Sequence, residues 1–567
     1  MKKKNHGKRV LLVSAKADVG FNIAPPLGLY QLSFFLNERG ASCDIFDQEL
    51  ENAEEYIDKA KRGYYGAIGF SLSRISVTPE SMRFSLDLIW RFRRAVEKSG
   101  FGAFFIAGGQ EAALNYKQWL TLGIELIFLG FAEKPMLEFC RRLEKKNDWD
   151  GSSSERDSFL EGMHGITFIN ATGDITYNPS EQFREGEFKE MFYDQIMKID
   201  VPYEKYWDIY RNKASKVNAG GSKFIVENVR LYTASHCPRR CGFCNSQNFL
   251  PYSSGQDKVP ITILNADQVA NLILRFHRRF GAQGVLFSDD DFPVGSREGL
   301  KRLWELCERI IHLKGNGDLP SDMQMACQAR VADFLKRDHD GQRVPNRELL
   351  ALMRRAGFGS TSLGVETFND RVLKAPSINK LGVTVQDARN VLDAMIGEGI
   401  VPMINIILGV PEYQPDELSE TLVITLEYIL KDCDVSVLDY LMTLPGAPIY
   451  DTDLYKRHYQ PWTHPDTGET VLFDEYFIPE HPMMQNLVNN QVRVVREILQ
   501  RINEAQGWQN KLQNKRIVNI SKLIAAAYLL ERSDLVEQFT GVLNEVLGEA
   551  HAMPTLLDFG TGITRVT

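Results

Sequence analysis

The stretch Val229-Arg-Leu-Tyr-Thr233-Ala-Ser-His236-Cys237-Pro-Arg-Arg-Cys241-Gly-Phe-Cys244 sets a short apolar run directly ahead of three cysteines. The run Val229–Thr233 predicts a strand, and the cysteines a loop at its carboxyl end. Chance places three of the chain's eight cysteines at these offsets roughly two times in a thousand. The other five, Cys43, Cys140, Cys307, Cys327 and Cys433, lie among apolar neighbours and read as small buried hydrophobes. Three thiolates spaced C-x3-C-x2-C hold three irons of a [4Fe–4S] cluster and leave the fourth iron open to a substrate or cofactor. Zinc is the competing reading. A structural zinc site takes four ligands, and His236, adjoining Cys237, is badly placed to be the fourth. A disulfide framework is not expected from an odd set in a chain that reads as intracellular.

Downstream of the cysteines, apolar runs and amphipathic helical patterns alternate. Strands are predicted over Val229–Thr233, Gly284–Ser288, Gln324–Ala329, Thr361–Val365, Val401–Leu408 and Val435–Met442, with helices such as Ala266–Phe280, Arg297–Leu313, Asn346–Ala356, Val385–Gly397 and Asp416–Leu430 between them. Six such units over 226–450 predict a partial (β/α) barrel with its site on the C-terminal face. Upstream, strands over Arg9–Ser14, Cys43–Asp47, Ala67–Ser71, Ala103–Ala107 and Leu126–Leu129 alternate with helices, which predicts a parallel sheet over 8–145. Glycines stand where its strands end, and ligands of open α/β sheets bind there. Residues 146–225 read as a tether holding one hairpin, Ile166–Asn170 with Ile175–Asn178, and 451–567 as a mostly helical tail.

Composition narrows the function classes. The chain has 567 residues, 66 Lys+Arg against 74 Asp+Glu, a net charge of −8, 44 % hydrophobic and 25 % charged residues. That is ordinary globular composition. Mild acidity argues against nucleic acid as a partner, because nucleic-acid binders carry basic stripes. No apolar run reaches the roughly 18 residues of a membrane span, and Val10–Ala15 is too brief for a signal peptide. The expectation is a cytoplasmic protein.

With its aromatic Phe243 just before the last cysteine, the motif resembles that of the radical SAM superfamily, where C-x3-C-x2-C follows the first strand of a six-unit partial barrel. The resemblance implies that S-adenosylmethionine binds the open iron and, on one-electron reduction, gives methionine and a 5′-deoxyadenosyl radical. It also implies a low-potential electron donor of flavodoxin or ferredoxin type. The cofactor carries the hard chemistry in such sites. Later strand ends resemble the family too. Ser288, Asp289 and Asp290 end the second strand, where polar groups hold the methionine amino group. Gln328 ends the third and Glu366 the fourth, facing methionine and ribose, while Gly409 and Glu412 stand at the fifth, near adenine. Cys327 is expected to pack within its strand.

Ahead of the barrel, Pro26-Leu27-Gly28, Ser71, Gly108-Gly109 and Gly130 with Glu133 follow one another at spacings similar to cobalamin-binding domains fused to radical SAM barrels. Small residues there let a corrin approach the backbone. No D-x-H-x-x-G motif is present, so the resemblance implies cobalt without a histidine ligand. The fold class implied is α/β: an N-terminal doubly wound Rossmann-like cobalamin-binding domain, a partial (β/α)6 radical SAM barrel and a helical C-terminal region. The implied activity is a methyltransferase acting on an unactivated carbon or phosphorus centre of a small-molecule or peptide substrate. A rearrangement, cyclisation or oxidation on the same fold is the alternative, and a non-catalytic corrinoid or Fe–S carrier is the alternative of another class.

Overall fold

The computed structural model describes residues 8–16, 24–72, 79–146, 153–181, 185–217, 226–463, 468, 470–506 and 515–548. Part of the polar stretch Lys145–Asp157 falls outside them. Two sheets organise these residues. The first holds β1 (Arg9–Ser14), β2 (Cys43–Asp47), β3 (Tyr65–Ser71), β4 (Phe104–Gly108), β5 (Leu126–Phe128), β6 (Ile166–Ile169) and β7 (Ile175–Asn178), in the order β2-β1-β3-β4-β5-β6-β7. Its first five strands are parallel, and the β6–β7 hairpin adds antiparallel at the β5 edge. Alternation along β1 feeds two cores: Leu11 and Val13 pack on one face, Val10 and Leu12 on the other. A strand buried on both faces reads as a continuous apolar run, which is why the sequence marks it clearly.

The second sheet runs β8 (Asn228–Leu231), β9 (Gly284–Phe287), β10 (Gln324–Ala329), β13 (Phe358–Glu366), β14 (Val401–Ile407) and β15 (Asp434–Leu438), six parallel strands in chain order. A small hairpin, β11 (Leu335–Arg337) with β12 (Arg343–Pro345), is inserted between the third and fourth units. The crossover helices are locally well specified. Ala266–Phe280 starts in a capping box of Asn265 and Gln268 and stops at left-handed Gly281.

Two segments differ from expectation. The aromatic residues of 185–217 form helical turns: Glu185–Lys189, the π-helical turn Glu190–Gln195 and Tyr203–Val217. Tyr203, Tyr206 and Trp207 all bury on one face, because their spacing of three and four residues is helical. In the tail, helical character holds from Pro482 onward. Residues before it form a hairpin, β16 (Arg457–Thr463) with β17 (Thr470–Phe477), in which His458 pairs and stacks on Tyr476. Aromatic and β-branched cross-strand pairs favour a pleated surface over a helix. Among the described residues no helix is long and apolar enough to cross a membrane.

Candidate functional site: a three-cysteine loop and a shared cavity

The loop Cys237–Cys244 begins six residues beyond the end of β8, and the loop and its approach are fixed by contacts from several elements. Asp289, at the end of β9, accepts from the Thr233 and Ala234 amides, both at 2.7 Å, and from Thr233 Oγ1 at 2.8 Å. Arg239 donates from Nε to Asp291 at 2.8 Å and from Nη2 to Asp333 at 3.2 Å, two carboxylates that are buried. Burial and neighbouring Asp291 hold Asp333 well above the usual carboxylate range. Gly242 donates to the Ile378 carbonyl at 3.1 Å and accepts from Ile449 at 3.2 Å. A Cβ there would lie 1.9 Å from the Pro376 carbonyl oxygen, so only glycine fits. Asn379 reaches the Arg240 carbonyl at 2.7 Å.

Cys237, Cys241 and Cys244 are half-buried free thiols. Burial pushes the Cys237 and Cys241 thiols up, and both feel Cys244. Three thiolates with no fourth protein ligand suit a four-iron cluster that leaves one iron open, whereas a structural zinc takes four protein ligands. His236 bonds Ser235 Oγ through Nδ1 at 3.0 Å and the Val259 backbone besides, so its ring is already engaged. The donor set fits an iron–sulfur cluster.

Around this loop the barrel's strand ends present acidic and amide groups. Asp289 has its carboxylate committed to the β8 end, and burial raises its pKa to about 6. Asp290 and Asp291 line the adjoining cavity, and Asp291 Oδ1 is buried without a partner. Ser288 donates its amide to Leu231, and Gln328 stands half-buried on β10 beside Cys327, which is fully buried against Thr361 as expected. Glu366 takes a left-handed φ of 66° after a register shift in β13 and pairs with Lys380 at 2.8 Å, both side chains 8 % exposed. Cys241 feels this pair, which places it on the cluster loop's flank. Two expected positions serve the fold itself. Gly409 closes on Tyr440 and Asp439, where a Cβ would meet backbone at 2.7 Å and 2.8 Å. Glu412 is taken up by the Ser377 amide and hydroxyl and by Tyr455. Phe243 packs against the barrel core.

A cavity of about 540 Å3 opens between the two sheets. Its floor is the carboxyl edge of the first sheet, where strand order reverses between β1 and β3, the place such sheets bind ligands. Pro26, Leu27, Gly28, Ser71, Gly108, Gly109, Gly130 and Glu133 all line it. From the barrel come Tyr232, Ser235, His236, Ser246, Asp290 and Asp291, which include the residues just before and just after the cysteine loop in the chain. Its lining contains residues the sequence reading did not single out, Gln31 and Asp47 among them. Gln31 follows Gly28 on the same helix, so its signal was only its position. Asp333 and Lys380 carried no signal, because their partners are distant in sequence.

Residues 231–423 match the family model of the Radical SAM superfamily. No curated protein matches the chain. Among solved structures, the chain is similar to the cobalamin-dependent S-adenosylmethionine radical enzyme OxsB with aqua-cobalamin and S-adenosylmethionine bound. Identity is 16 %, the TM-score is 0.64, and 96 % of this chain and 75 % of that one are covered. It is also similar to the radical S-adenosylmethionine methyltransferase TsrM from Kitasatospora setae with cobalamin and a [4Fe–4S] cluster bound, at 13 % identity and a TM-score of 0.59 over 94 % and 99 % of the two chains. At such identities the likeness is one of fold.

Proposed function

We propose, from the premise that residues 231–423 are a radical SAM domain in a chain folded throughout like the cobalamin-dependent radical SAM enzymes, that this protein is such an enzyme and transfers a methyl group. Its substrate would be a small molecule or peptide with an unactivated carbon or phosphorus centre. One observation supports this above others: residues just before and just after the three-cysteine loop, and the glycine-lined strand ends of the first sheet, line one cavity. Two reactive groups held at the two ends of one space can act on one substrate without its release.

When bound, the cluster with S-adenosylmethionine supplies a hydrogen-abstracting radical, and cobalamin supplies a transferable methyl group. The chain's own residues do the positioning. Cys237, Cys241 and Cys244 hold the cluster, with Gly242 and Arg239 fixing their loop. Asp290 and Asp291 offer carboxylates to the ammonium of the methionine moiety, whereas Asp289 holds the β8 end instead. Lys380 and Glu366 flank Cys241. Gly28, Ser71, Gly108, Gly109 and Gly130 leave room for a bulky ligand against backbone. A low-potential donor of flavodoxin or ferredoxin type would deliver the electron.

The test is anaerobic. Protein from cobalamin-supplied cells should hold about four irons and about one cobalt per chain. With dithionite and S-adenosylmethionine it should form 5′-deoxyadenosine, and, if methylation is the outcome, S-adenosylhomocysteine. Replacing any one of the three cysteines by alanine should abolish 5′-deoxyadenosine. Retained formation overturns the cluster assignment; deoxyadenosine without S-adenosylhomocysteine in the presence of substrate moves the reading to rearrangement or oxidation.

A further inference from the structure

One wall of the cavity carries polar atoms that the protein leaves unused. Glu133 opens the helix Glu133–Lys145, is 7 % exposed and lines the cavity. Its Oε2 is buried and unpartnered, and its Oε1 receives only the Gln31 amide, at 3.3 Å. Gln31, on the helix Leu27–Glu38, is 5 % exposed and also lines the cavity. Its Nε2 donates again, to the Met191 carbonyl at 3.0 Å, while among the described residues no group donates to its Oε1. Met191 belongs to the π-helical turn Glu190–Gln195, whose Phe192, with Ile196 just beyond, completes this wall. Such turns recur at functional sites. A buried carboxyl atom without a partner costs about 1–3 kcal/mol, so the fold carries a defect that a ligand would repair.

We propose that Glu133 and Gln31 together bind a primary carboxamide of the cavity's ligand. This rests on reading the cavity as a corrinoid site, and it adds which groups are recognised: the amide side chains at the rim of the corrin ring. A primary amide brings one acceptor and two donors. Its carbonyl takes the Glu133 carboxyl proton and its NH2 donates to Gln31 Oε1, so both unused atoms are filled by one group. Burial raises Glu133 to about 7, with the Gln31 amide and Met191 carbonyl packed on the pair and no charged side chain shifting it. The carboxyl proton is therefore available at neutral pH. The segment 185–200 becomes a binding wall, with a role beyond linking two domains.

The experiment titrates the cobalamin-free protein with hydroxocobalamin and, separately, with dicyanocobinamide, which keeps ring amides and lacks the nucleotide tail. Glu133→Leu and Gln31→Leu should each weaken both ligands about tenfold, the loss of one buried hydrogen bond. Equal affinity to the parent overturns the proposal, and so does a loss confined to hydroxocobalamin, which would place the contact on the tail. Parent affinity should fall as pH rises from 6 to 8.5, while Glu133→Gln, which keeps a neutral donor, should bind at every pH with a flat profile. Should Glu133→Leu fail to hold its iron and fold, this comparison decides alone, and a pH-dependent Glu133→Gln overturns the proposal. A parent that binds neither corrinoid overturns the functional reading itself.

Discussion

Three consecutive aspartates at the end of β9 show how far residue type outruns residue role. The sequence marks Asp289 and Asp290 alike, and all three carboxylates line the cavity, yet Asp289 is spent on the β8 amides and Asp291 on Arg239. Which partner each carboxylate takes depends on a side-chain direction set by the turn after the strand. Gly242 is the clearest residue-scale case. Gly242→Ala sets a Cβ against the Pro376 and Ser377 carbonyls, and should displace the loop. Iron per chain after reconstitution should fall by at least about half, with a stability loss of about 1–3 kcal/mol in urea unfolding. Glu133 predicts a pH dependence. Its folded-state pKa of about 7 lies above the unfolded value, so its contribution is full below about 4.5 and is lost as pH rises through 7. Glu133→Gln should flatten that decline, which amounts to roughly 3 kcal/mol, when unfolding is compared at pH 5 and pH 8.

Among elements, those buried on both faces were the legible ones. The strands of both sheets and their crossover helices stand close to where apolar runs and caps put them, because period and capping are local properties. The β16–β17 hairpin and the helices of 185–217 were not legible. Their mixed aromatic and charged sequences take their form from the first sheet's domain they pack on: Gln118 reaches the Leu472 carbonyl at 2.9 Å, and Tyr206 bonds buried Asp47. The tail has a further task at β15, the last strand of an open sheet. From the helix Lys515–Leu529, Asn519 donates to the Val435 carbonyl, and Lys522 to that of Val437 at 2.8 Å. An uncovered edge is an aggregation template. Asn519→Leu with Lys522→Met should destabilise the chain by about 2 kcal/mol and raise light scattering on heating. Unchanged melting and scattering would show the edge to be protected otherwise.

At the scale of the molecule, the two sheets meet through few but specific contacts near the chemistry. Gln110, next to Gly109 on the cavity floor, donates to Asn245 at 3.0 Å, one residue beyond Cys244. Asn245 and Asn248 in turn donate to the Pro445 and Gly446 carbonyls. The loop is thus held by contacts from both sheets. Removing iron with chelator and oxidant should therefore leave far-UV circular dichroism unchanged and melting within about 2 °C, unlike a small metal-folded domain. Collapse of the spectrum would show that the cluster holds the fold. The sequence by itself determined the two parallel sheets, the cysteine loop at the end of the first barrel strand, and the small residues at the strand ends of the first sheet, because apolar period, glycine placement and ligand spacing act over a few residues. Only the tertiary structure decided that the strand ends of the first sheet and the flanks of the cysteine loop line one cavity, that Asp289 braces β8 while Asp291 pairs with Arg239, and that Gln31 meets Glu133 across 102 positions of chain. Those facts depend on packing between distant segments, and no local pattern encodes it.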